Sequence, residues 1–190
     1  METIRHIDYA LFYFINHNLA NSFFDFLCPI LRQKLVWLPF YALIAWYFYK
    51  SYGTKVLWLA LLAIVTIVLS DQISSTIIKP IFHRLRPCHN PALTATIRLV
   101  IHDCGSGFSF VSSHAANHFA LATFFSFLIN QKKKWVPVLY LWAAAIGFSQ
   151  VYVALHYPVD VVAGALLGVI IGCITGLIAQ RKVVMRSNDR

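Results

Sequence analysis

TKVLWLALLAIVTIVLSDQISSTII, residues 54–78, runs directly into KPIFHRLRP, residues 79–87, and the reading of that junction decides the fold. After Lys55 the first segment carries a single charged residue, Asp71, and its length exceeds the roughly 20 apolar residues that cross a bilayer as a helix. It therefore reads as a membrane span that delivers Lys79, Arg84 and Arg86 to one surface. Pro80 and Pro87 predict an ordered bend there rather than a continued helix.

Working outward, Leu35 to Tyr49, Ala115 to Ile129, Trp135 to Val153 and Val159 to Ala179 are the other apolar runs. In residues 1–34, the stretches Ile7 to Ile15 and Phe23 to Leu31 are too short to span and are separated by Asn16, His17, Asn18 and Asn21. They predict two short amphipathic helices at the interface, with a single broken span as the alternative. The expected fold is an all-α integral membrane bundle of about five spans. It forms one domain over residues 1–190, with interfacial helices in 1–34 and a polar loop over 79–113. Composition agrees: 59% of the 190 residues are hydrophobic and 12% are charged, well above the apolar share of about 45–50% in soluble domains. No cleavable signal peptide is expected, because the N-terminus lacks a basic region followed by a short apolar core.

The net charge of +9 does not indicate nucleic acid, since the basic residues sit at the ends of apolar runs. Lys50 and Lys55, Lys132 to Lys134, and Arg181, Lys182 and Arg186 fall on one side if the spans alternate, and that side is expected to be cytoplasmic. The loop over 79–113 and the turn near 154–158 then share the opposite face. Cys88 and Cys104 both lie in that loop and can pair in an oxidising compartment, or remain free thiols.

Three polar pieces meet on that face. Lys79, Arg84 and Arg86 repel one another unless they share an anion, for which a guanidinium fork and a compact ammonium are suited. Alone, they also fit a basic flank that grips lipid head groups. Ser112-Ser113-His114 precedes an apolar helix, so a serine cap, free N–H groups and the helix dipole can hold phosphate oxygens, with His114 beside them. An ordinary capped helix with an interfacial histidine is the simpler reading. His156 precedes Pro158, and Asp160 follows His156 by four residues. A carboxylate that accepts from one imidazole nitrogen leaves the other free as nucleophile or base. A purely structural His–Asp pair would look the same.

Together the pieces resemble the signature of the type 2 phosphatidic acid phosphatase family of integral membrane lipid phosphatases. Lys79 and Arg86-Pro87 match its first motif. Ser112 and His114 match its second, with Val111 and Ser113 at the places of Pro and Gly. Ser149, His156 and Asp160 match its third, with Gln150 where the family has Arg. The resemblance covers about residues 54–180. It implies that His156 forms a phosphohistidine, that Asp160 orients it and that His114 protonates the leaving group. It implies phosphoryl binding by Lys79, Arg86, Ser112 and Ser113, with no metal or cofactor. Gln150 brings a hydrogen bond but no charge, so it is a weaker candidate ligand, and Arg84 or another cation would have to replace the lost guanidinium. His83, His89 and His102 in the loop lack the acidic or thiolate spacing of a zinc site.

The expected activity is hydrolysis of a lipid phosphomonoester or pyrophosphate. Undecaprenyl pyrophosphate stands first, with phosphatidylglycerophosphate or a lipid A phosphate as alternatives. A bacterial inner membrane with the site facing the periplasm is the implied location. The rival of another class is a protein that binds or transports lipid phosphates without turnover. The expected partners are the bilayer and its lipid phosphate, and oligomeric state is not legible.

Overall fold

A computed structural model describes residues 2–93, 95–101, 103–129 and 133–184. His102, Lys132 and Arg186, used above for metal and topology expectations, lie outside these residues. Among the described residues every regular element is helical. Helix α1 (Glu2–Tyr13) widens into a turn at Phe14–Asn18, and α2 (Ser22–Leu31) follows, capped by Asn21, whose side chain accepts from Phe24 N–H at 2.9 Å. Then come α3 (Leu38–Tyr52), α4 (Val56–Gln72), α5 (Lys79–Phe82), α6 (Ser113–Leu128), α7 (Val136–Tyr152) and α8 (Pro158–Ala179).

The expected bend at Pro80 is absent. A π-helical segment, Ile73–Ile78, joins α4 to α5, and Pro80 sits in the first turn of α5. The π-helical widening just before Pro80 is the kind of local adjustment that accommodates a proline in a continuing helix. The chain turns instead at His83, which adopts the left-handed conformation with φ 47°.

The bundle is organised by α6 and α8, the pair with the most extensive packing. One face of α8 carries Gly164, Gly168, Gly172 and Gly176, spaced by four and therefore stacked on one side. A Cβ at Gly164, Gly168 or Gly172 would collide with the carbonyl oxygen of Ser112, Ala116 or Ala120 respectively. The two backbones thus touch, as small residues spaced by four permit. Because both residue series ascend together, α6 and α8 are parallel, and their N-termini lie at the same end. The opposite face of α8 exposes Val162, Leu166, Ile170 and Ile174. With exposed Trp46, Leu57, Trp58, Leu61, Ile64 and Leu141, it forms an apolar exterior that lipid, not water, accommodates.

Helix α4 runs antiparallel to α6 and α8. Thr66 bonds Thr175 at 2.9 Å near the middle, and Ser74 bonds Ser113 at 2.9 Å near its end. A second core of Phe48, Leu59, Phe124, Leu128, Trp142 and Ile146 ties α3 and α7 to this pair. The segments Lys34–His89 and Pro158–Lys182 are long and apolar enough to cross a membrane. By contrast α6, with 16 residues, and α7, with 17, are shorter, so length alone does not carry the expected five spans.

Candidate active site

The parallel pairing of α6 and α8 creates the site. Ser112 caps α6: its Oγ accepts from Ala115 N–H at 3.4 Å, while its own N–H donates to the Asp160 carbonyl at 3.0 Å in the first turn of α8. The end of α4 is lashed to the same place. Asn117 Nδ2 donates to Asp71 Oδ1 at 3.1 Å, so Asp71 is held by an amide rather than by the cation that a carboxylate in a span suggests. His118 turns away, with Nδ1 on the His114 carbonyl at 2.8 Å and its ring edge against Trp142.

His156 is presented by the tight turn that follows α7. Ala154 takes φ 63°, and the Gln150 carbonyl accepts from both Leu155 N–H (3.1 Å) and His156 N–H (3.2 Å). Pro158 then starts α8, and Asp160, in its first turn, reaches back to Tyr157 N–H at 2.9 Å. The expected direct His156–Asp160 hydrogen bond is not formed: Nδ1 and Oδ2 are 3.7 Å apart. Ser109 lies between them, with Oγ 2.5 Å from Asp160 Oδ2 and 3.3 Å from His156 Nδ1. Asp160 has turned toward donors that its helix position supplies, and a hydroxyl bridges the remaining gap. The Nδ1 edge is thus engaged, and Nε2 has no hydrogen-bond partner among the described residues. His156 lies in the turn between α7 and α8, and burial lowers its pKa, with Asp160 opposing and Lys79 and Arg86 adding to the shift.

Arg84 is not free to bind an anion. It donates to Asp160 Oδ1 at 2.6 Å and to Asp8 Oδ2 at 2.5 Å, and its guanidinium lies 4.0 Å from the centre of the Tyr157 ring. Asp8 also accepts from Val159 N–H at 2.9 Å. Tyr157 stacks on Tyr9 and meets Phe12 edge-on, so α1 is part of the wall behind Asp160. Asn16 is fully buried, donating to the Arg98 and Tyr152 carbonyls and accepting from Arg98 N–H. The N-terminal helices are therefore built into the site region rather than laid beside it.

Asp8 and Ser109 escaped the sequence reading. Asp8 left a signal, a lone carboxylate in an apolar stretch, which in a membrane setting calls for a partner. Ser109 left none, because neither its spacing nor its neighbours distinguish it from the serines around it.

Lys79 makes no ion pair or hydrogen bond among the described residues. Arg86 donates to the carbonyls of Cys104 (2.8 Å) and Ser106 (3.3 Å), while its Nε is buried without a partner. Cys88 and Cys104 are joined as a disulfide that closes this loop around Arg86. His89 lies close to both sulfurs, but sulfurs bonded to each other are not the thiolates a metal site requires. Ser113 Oγ is engaged with Ser74 Oγ. Gln150 is fully buried, with Nε2 on Ser149 Oγ at 3.3 Å and Oε1 unpaired, so it offers no exposed atom to a phosphate. The arrangement thus combines a buried imidazole backed by a serine and a carboxylate, a second imidazole at a helix start, and cations without carboxylates of their own.

The PAP2 superfamily model matches residues 56–183. A lipid A 4'-phosphatase of Bacteroides thetaiotaomicron is 34% identical over 193 residues, covering 100% of this chain and 84% of that protein. An undecaprenyl-diphosphatase of Sulfolobus acidocaldarius is 29% identical over 164 residues, covering 83% of this chain and 71% of that one. The crystal structure of Aquifex aeolicus LpxE superposes with a TM-score of 0.64 at 27% identity, covering 87% of this chain and 92% of that chain. With the family matched over more than half its length, the chain belongs to the PAP2 superfamily, the phosphatase class that its three-piece signature resembles, and is an enzyme of that class.

Proposed function

We propose that this protein is a lipid A-type phosphatase, which hydrolyses a phosphomonoester on a membrane glycolipid through a phosphohistidine and without a metal. The observation that carries the chemistry is the Asp160–Ser109–His156 arrangement, which engages Nδ1 and leaves Nε2 to react. His156 Nε2 attacks phosphorus as the P–O bond to the lipid breaks, and His114 gives its proton to the leaving oxygen. Burial, with neighbouring imidazole and cationic charge, lowers the His114 pKa to about 3, so the incoming phosphate dianion is what must favour its protonated form. His114 then takes a proton from water, the resulting oxygen nucleophile attacks phosphorus, and the P–N bond breaks to release inorganic phosphate. Lys79, Arg86 and the N–H groups at the start of α6 offset charge on the transferring group, the service a metal ion performs elsewhere.

The family resemblance alone puts undecaprenyl pyrophosphate first. The better support lies with the alternative, because the lipid A 4'-phosphatase relative matches the entire chain at higher identity than the undecaprenyl-diphosphatase does. Lys50, Lys55, Arg181 and Lys182 sit at the helix ends remote from Lys79 and His156, which supports a site on the extracytoplasmic side of a bundle with five passes.

The test is phosphate release by purified protein in detergent with EDTA, from lipid A, undecaprenyl pyrophosphate and phosphatidylglycerophosphate, alongside His156→Ala. The expected outcome is release from lipid A at a kcat/KM at least about tenfold above the others, a gap of about 1.4 kcal/mol. Preference for undecaprenyl pyrophosphate would restore the first reading, and no release from any would contradict turnover.

A further inference from the structure

Neutralised and unneutralised cations divide sharply around the two histidines. Arg84 is balanced by Asp8 and Asp160, and Arg98 by Asp25. Lys79, Arg86 and Arg32 have no such carboxylate among the described residues. Asp103 exerts its charge on both Arg32 and Arg86, but it pairs with neither, and its Oδ1 accepts from Gly105 N–H at 2.7 Å.

Arg32 lies outside the signature motifs, at the C-terminal cap of α2. One turn earlier on the same face is Cys28, fully buried in a cluster with Cys88, Tyr152, Val153 and Leu155, on which Cys104 also packs. That face of α2 therefore looks onto the disulfide loop, where Arg86 holds the Cys104 carbonyl, and onto the turn that presents His156. The Arg32 charge acts on both Arg86 and His114, and the Lys34 charge also acts on His114. The Arg32 Nε, like that of Arg86, is buried without a hydrogen-bond partner. Two guanidiniums with unmet buried donors, one of them beside the Lys79 ammonium, are unfavourable as neighbours unless an anion satisfies them.

We propose that Arg32 is a phosphate-binding residue, and that it joins Arg86 and Lys79 in a cradle for the transferred phosphoryl group. It supplies the guanidinium that Gln150 cannot, and it does so from an N-terminal helix whose composition suggests only an interfacial anchor. The assignment rests on the active-site reading above, not on the identity of the lipid.

The experiment measures binding of inorganic phosphate by calorimetry and inhibition by orthovanadate, using the full chain in detergent. Arg32→Gln and Arg32→Lys are compared with wild type and with Arg181→Gln at the far end of the bundle. Loss of one charge-assisted contact weakens phosphate binding in Arg32→Gln by about tenfold to a hundredfold, with Arg32→Lys intermediate and Arg181→Gln unchanged. Should Arg32→Gln not fold, Arg32→Lys decides, since it keeps the charge and most of the stem. Phosphate affinity and vanadate inhibition as in wild type, in whichever variant folds, would overturn the proposal, as would wild type that binds no phosphate. Phosphate bound through Arg32 by a protein that hydrolyses no lipid would uphold this inference while removing the functional one.

Discussion

At the residue scale, His156, the proposed nucleophile, is held by groups on the Nδ1 side of its ring. Asp160 Oδ2 is 3.7 Å from His156 Nδ1, so the imidazole is aligned through Ser109. Ser109→Ala should therefore lower kcat with little change in KM. A hydrogen bond to a charged group is worth about 1.5–3 kcal/mol, or roughly tenfold to a hundredfold in rate. An unchanged kcat would show that Ser109 is packing alone. The pH profile follows from burial. The folded pKa of His156 lies below its ordinary 6.5, so the neutral, nucleophilic imidazole persists to lower pH than usual. The acid limb of kcat/KM, corrected for ionisation of the substrate phosphate, should break below pH 6.5, and a break above that value would contradict it. The nearness of His156 and Asp160 was legible in the sequence, because four-residue spacing beside a helix-starting proline constrains where they lie, but the direct hydrogen bond expected between them is replaced by the Ser109 bridge. Ser109 was not legible, because it arrives from a loop 47 residues earlier in the chain.

At the scale of elements, the glycine face of α8 sets the distance between His114 at the head of α6 and Asp160 at the head of α8. Gly168→Val should force the backbones apart, since even a Cβ there meets the Ala116 carbonyl. Overpacking of this kind costs about 1–3 kcal/mol and should depress both Tm and activity. A variant with wild-type Tm and rate would show that the contact is dispensable. The five apolar helices after residue 35 were legible within a few residues, because hydrophobic runs of that length have few alternatives in a bilayer. The N-terminal pair was legible as two helices but not as part of the site. Nothing local in residues 1–34 reveals that Asp8 meets Arg84, 76 residues on, or that Asn16 binds the backbone at Tyr152, 136 residues on. The passage through Pro80 was likewise hidden, since a proline read locally predicts a helix break and nothing in residues 73–78 signals a π-helical segment.

For the whole molecule, the three signature pieces converge because α6 and α8 are parallel, α4 is antiparallel to both, and the Cys88–Cys104 bond closes the loop between α5 and α6. An apolar exterior surrounds this polar end, so the lipid tail can remain in the bilayer while its phosphate reaches the cations. The central claim is that the protein transfers phosphate to His156 on the way to water. A rapid quench with 32P-labelled lipid A tests it directly. The account predicts protein-bound label that is stable in base, labile in acid, and absent from His156→Ala. Turnover by wild type with no such label at any quench time, or equal labelling of His156→Ala, would contradict it.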